Sequence, residues 1–126
     1  MFYLSFTDEV INDISSARRY IRKKLEAPMA SKRLAIELEK TYFKLEENPY
    51  RRPLVQNKFL AMKGYRSINV KNYILFYIIT EEDNTVSLVR FMHSRMDWAD
   101  ILMSEFEQSG DTMEMDLPEG FQPKEW

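Results

Sequence analysis

No cysteine occurs among the 126 residues, which removes disulfide scaffolds, thiolate zinc sites and thiol nucleophiles. Histidine is almost as scarce. With His93 alone, a zinc site would need carboxylates for nearly every ligand and a Ser-His-Asp arrangement has one candidate base, so no metal or cofactor is expected. No run approaches the ~18 consecutive apolar residues that span a bilayer, and the opening MFYLSFTDEV turns acidic where a signal peptide stays apolar. A cytoplasmic protein with no membrane partner is the expectation. Charge of one sign is lacking too: 18 Lys and Arg against 20 Asp and Glu leave a net −2, which gives no argument for nucleic acid as a partner. That average hides a division, since residues 1–104 carry 17 basic and 13 acidic side chains whereas residues 105–126 carry Lys124 against seven acids.

What is present is material for one core, with 44% hydrophobic and 13% aromatic side chains. Tyr3 to Phe6 alternate as a short strand, and Thr7 before Asp8 and Glu9 marks a helix start. Val10, Ile14, Ala17, Ile21 and Leu25 recur at spacings of three and four, predicting one apolar face. Pro28 closes that helix and opens a second, in which Leu34, Leu38, Tyr42 and Leu45 form the stripe and Asn48-Pro49 the end. The short connection predicts an antiparallel hairpin.

After Tyr50-Arg51-Arg52-Pro53 the period changes. Residues 65–70, 72–80 and 86–92 are rich in β-branched and aromatic side chains and read as an antiparallel meander, turning at Lys71-Asn72 and at 81–84. The middle run is apolar at both parities, as expected of a strand covered on both faces. Asp97, or Ser94 before it, caps a last helix carrying Trp98, Ile101, Leu102 and Phe106, a candidate second cover. The expected fold is α+β in the order β-α-α-β-β-β-α: a short N-terminal strand and a helical hairpin packed on a mainly antiparallel sheet. We expect a domain over 1–107 and an acidic tail over 108–126. The tail's Met113, Met115, Leu117, Phe121 and Trp126 suit docking on the basic body, and its acids suit a solvated extension.

Metal-free RNA cleavage needs a base, an acid and fixed positive charge on the phosphate. His93 is the candidate acid or base, with Lys63, Arg66, Arg90 and Arg95 as candidate charge. Strict alternation puts His93 on the face of Phe91 and Val89, opposite Arg90, so of these cations only Arg95 follows it on the same side. His93 reads equally as a strand-end residue hydrogen-bonded to backbone or to Asp97. Arg66 and Arg90 suit rim ion pairs as well as recognition, Tyr65, Tyr73 and Tyr77 suit the core, and Trp98 suits either a sheet cap or a partner anchor.

Three strings carry a resemblance: Gly64-Tyr65-Arg66-Ser67, then Val70 through Tyr77, then Val89 through Asp97. Together with Asp13-Ile14, Tyr20-Ile21, Leu25 and Pro28 through Leu34, they resemble the RelE/ParE superfamily of toxins from bacterial type II toxin–antitoxin modules, over roughly residues 1–103. One branch cleaves messenger RNA on the ribosome and resembles itself in an arginine after the tyrosine that opens the third strand; here that position is Ile74. The ParE-like branch typically reads Gly-x-Arg-Ser, Asn-Tyr with aliphatics and Phe-Tyr, then Arg-x-x-His-x-x-x-Asp, which Gly64, Arg66, Ser67, Asn72–Tyr77, Arg90, His93 and Asp97 follow. The resemblance implies a plasmid-stabilisation toxin that arrests growth, is neutralised by a cognate antitoxin and inhibits DNA gyrase, with no sequence-specific DNA binding of its own. Arg66, Arg90, His93, Arg95 and Trp98 are then recognition residues and none is catalytic. The alternative it implies is a ribosome-dependent mRNA endonuclease using His93 with Arg66, Arg95 and Lys63, whose partners are ribosome and message.

Overall fold

The computed structural model describes residues 1–108. β1 (Tyr3–Phe6) leads into α1 (Asp8–Arg19), a π-helical turn (Tyr20–Lys24) and α2 (Pro28–Glu47). A 3₁₀ turn (Pro49–Arg51) and the short α3 (Lys58–Met62) precede β2 (Arg66–Val70), β3 (Tyr73–Thr80), β4 (Thr85–His93) and α4 (Trp98–Gln108). The expected α+β order is present, with α3 as an addition. Its start is a local cap, in which Asn57 Oδ1 accepts from Leu60 N–H at 3.0 Å and lets Phe59 and Leu60 be buried.

The four strands stand in the order β1-β4-β3-β2. β2, β3 and β4 form the expected meander, and β1 lies parallel to β4, pairing Tyr3–Phe6 with Thr85–Leu88. Thr7 joins three elements at that edge: its hydroxyl accepts from Val10 N–H and donates to the Val89 carbonyl, each at 3.1 Å. Both faces of β3 are covered. Under the helical hairpin lie Val10, Leu34, Leu38, Leu45, Leu75, Tyr77, Leu88 and Phe91, whereas Phe59, Leu60, Phe76, Met92 and Leu102 pack beneath α3 and α4.

Two periodicities break, each with a physical reason. The register shifts so that Phe76 opposes Arg90 and Tyr77 opposes Leu88, leaving Val89 as the extra residue of a β-bulge. Val89 therefore packs on the α4 side while Phe91 packs under the hairpin, which corrects the shared face expected for them. In the π-helical turn Leu25 N–H reaches back five residues to the Tyr20 carbonyl. The wider turn keeps Ile21 against the core and swings Leu25 outward to 56% exposure, so Leu25 leaves the predicted stripe.

Tyr77 is fully buried, and its hydroxyl donates to the Pro49 carbonyl at 2.7 Å, tying the sheet centre to the loop after α2. Burial is the main cause that pushes this phenol from 10.0 up to about 12. Because the folded state holds the proton more tightly, stability is intact below pH 10 and declines between pH 10 and 12. The loss expected from this group is roughly 2–3 kcal/mol. Tyr77→Phe should cost about 1–2 kcal/mol at pH 8, since a buried carbonyl loses its donor. It should also flatten the alkaline decline, so that urea unfolding of the two chains converges as pH rises through that window.

Candidate functional site

β3 begins and β4 ends at the same margin of the sheet, where Tyr73 and His93 are paired in register. The Lys71-Asn72 turn closes that margin, and the Asn72 carbonyl accepts from Ser94 N–H at 2.8 Å. The π-helical turn and the first turn of α2 arch over it. Between them lies a groove of about 490 Å³ lined by Tyr20, Ile21, Arg33, Lys71, Tyr73 and His93, among others.

Each aromatic side chain there has a fixed setting. Tyr73 stacks on Phe91 with centroids 4.8 Å apart and meets the His93 ring edge-on at 5.2 Å. Its phenol is raised from the usual value, first by burial and then by Tyr20. His93 Nδ1 accepts from Arg95 N–H at 3.1 Å, which puts the proton of a neutral imidazole on Nε2. Of the two plain settings read from the sequence for His93, the backbone one is present.

The other expected site residues are not gathered around His93. Arg66 pairs with Tyr77 on β3, four residues from Tyr73 and on the opposite side of β3 from β4, so the two backbones are roughly 17 Å apart. Its guanidinium donates to the Arg52 carbonyl at 2.6 Å and lies 5.3 Å from the Tyr50 ring centroid. Lys63 sits over the Phe59 and Phe106 rings at 5.6 and 5.0 Å. Arg90 is clasped between helices, its Nε 2.6 Å from Asp13 Oδ2 and its Nη1 on Glu105, and the Asp13 bond raises its pKa further. Arg95 is exposed in the turn beside His93 and is the one candidate cation brought next to it. Trp98 rests on Phe76 with centroids 5.1 Å apart, capping the sheet at the start of α4. At that helix start the Asp97 carbonyl accepts from Ile101 N–H at 3.2 Å, and a bond from Asp97 pushes the exposed Asp100 carboxyl upward.

The groove residues Tyr20, Arg33 and Lys71 were not among the site residues read from the sequence. Their signal is three-dimensional, because residues 20, 33 and 71 meet only when the hairpin folds over the sheet margin. Among the described residues, no three His, Cys, Asp or Glu side chains gather as metal ligands. No helix there is long and apolar enough to cross a membrane.

The family model of the ParE toxin of type II toxin–antitoxin systems, parDE, matches residues 4–98. The chain belongs to the ParE toxin family. Similar folds occur in solved structures: the chromosomal ParDE system of P. aeruginosa is 10% identical, with a TM-score of 0.59 over 74% of this ParE-family chain and 96% of that one. The toxin–antitoxin complex RelBE2 of Mycobacterium tuberculosis is 26% identical, with a TM-score of 0.52 over 73% and 90%. No curated protein sequence matches at a significant level. This ParE-family chain is therefore a toxin of the type II class on the α+β fold that the RelE/ParE resemblance implied.

Proposed function

We propose that this toxin acts by holding DNA gyrase in a cleaved-DNA state and that a cognate antitoxin neutralises it. The observation that carries the gyrase reading is Ile74, an apolar side chain packed with the α4 cluster where the RNA-cleaving branch places a cation. The separation of Arg66 and Lys63 from His93 supports the same reading, since a phosphate in flight needs its acid, base and charges within a few ångströms of one another. Arg95 and His93 at the sheet margin, with Arg66 and Trp98, remain the recognition residues of this proposal, and Arg90 positions α1 against α4.

For the antitoxin, Met29, Ile36 and Phe43 recur every seven residues along α2 and are 59%, 51% and 68% exposed. Fourteen residues of helix make a line of about 21 Å, the size of face an amphipathic segment covers. Expression is expected to arrest growth and the neighbouring reading frame to rescue it. Purified toxin should then give gyrase-linked DNA breaks and leave message on translating ribosomes whole; the opposite pair of results establishes the endonuclease.

A further inference from the structure

His93 apart, the groove at the sheet margin is lined by residues that neither the gyrase nor the antitoxin reading uses. None of its eleven lining residues is acidic, while Arg33 and Lys71 bring two cations and His93 and Asn72 bring polar groups. α2 starts at the same place without a side-chain cap at Ala27 and without an acid in its first turn, Glu26 before the cap being the nearest acid in sequence. The charged side chains that line the groove are all of one sign. The remaining lining is apolar and aromatic, with Tyr20 half exposed and the Tyr73 ring held in place by Phe91.

The backbone around the groove is also irregular. The π-helical turn runs along one wall, and Lys71 sits at φ 56°, a left-handed conformation that disfavours a side chain other than glycine or asparagine. A lysine held there keeps a charge at the rim despite the strain.

We propose that this groove binds a single nucleotide unit. The phosphate lies between Arg33, Lys71 and the start of α2. The base lies against the Tyr20 ring, with the Tyr73 hydroxyl and the His93 Nε2–H facing its edge. Size agrees, since about 490 Å³ falls in the range of small-molecule sites. Composition separates this ligand from others: a lone phosphate has no use for the aromatic walls, a metal ion has no ligand carboxylate, and an apolar helix leaves both cations unmatched. The proposal holds whichever target the toxin has.

His93 is the only histidine, so its imidazole protons give one assignable NMR reporter inside the groove. Adenosine 5′-monophosphate titrated into the full chain should shift that signal saturably, and at lower concentration than inorganic phosphate or adenosine. Arg33→Ala and Lys71→Gly should each weaken binding about tenfold, the effect of one charge-assisted contact. Lys71→Gly should at the same time raise the melting temperature by relieving the backbone, which separates lost recognition from lost folding. A tetradeoxyadenylate strand that binds more tightly than the monophosphate assigns the unit to a nucleic-acid strand, and weaker binding assigns it to a free nucleotide; both uphold the site. Equal affinity for phosphate and monophosphate, no His93 shift at 10-millimolar monophosphate, or a signal that follows protein concentration instead, as a second copy in the groove would produce, each overturns it.

Discussion

Arg90→Ala is expected to lower the unfolding free energy by about 3 kcal/mol, with a fall in melting temperature on the order of 10–15 °C. Arg90 and Asp13 are 17% and 14% exposed, so water compensates little when one is removed. Asp13 accepts from Arg90 Nε at 2.6 Å, from Nη2 at 3.2 Å and from the Phe91 backbone N–H at 3.0 Å. β1 stops pairing at Leu88, so the Phe91 N–H stands on an edge of β4 that no strand covers, and the carboxylate replaces the missing strand. Removing the guanidinium leaves a largely buried carboxylate with one donor and frees Glu105 of α4 from its anchor. Arg90→Lys is not expected to rescue, because an ammonium cannot reproduce the forked contact with Asp13 and the second contact with Glu105 together. Asp13→Ala should cost a similar amount, and the double variant much less than the sum, by a coupling of about 1–3 kcal/mol in a double-mutant cycle. Additive losses would show that the clasp is not an energetic unit.

Much of the fold was legible because local chemistry and global packing agree. Thr7, Pro28 and Asn48-Pro49 punctuate the helices where the structure starts and ends them, and the all-apolar run of β3 is the strand sandwiched between two layers. What escaped is non-local. The parallel seat of β1 beside β4 joins residues more than eighty apart and leaves no period in the sequence, and the Val89 bulge coincides with a contact of its carbonyl to the equally distant Thr7 hydroxyl. The same limit applies to the site. His93 and Arg95 were readable as neighbours on one strand end, whereas Asp13 as the partner of Arg90 and Tyr20, Arg33 and Lys71 as groove walls depend on how the hairpin crosses the sheet. The acidic tail, with its suggested docking, falls outside the described residues beyond Gln108.

Phe76→Ala should produce the larger loss, about 3–5 kcal/mol, because a fully buried ring is removed from a site walled by Met92, Leu102 and Trp98. Trp98 loses the ring it rests on, so α4 should detach before the sheet melts, seen as faster amide exchange over 98–108 with β2–β4 still protected. A loss below about 1 kcal/mol would mean that α4 rearranges onto the sheet and that the second core is more plastic than its packing implies. The variant also tests the reading of the toxin's target. α4 lies over the sheet face that carries Ile74, and its release exposes that face to solvent. If α4 merely conceals a nuclease centre, freeing it should let the chain cut message on ribosomes. An isoleucine can neither neutralise nor protonate a phosphate, so the opened chain is expected to remain inert toward message while losing grip on any partner that the Trp98 end recognises.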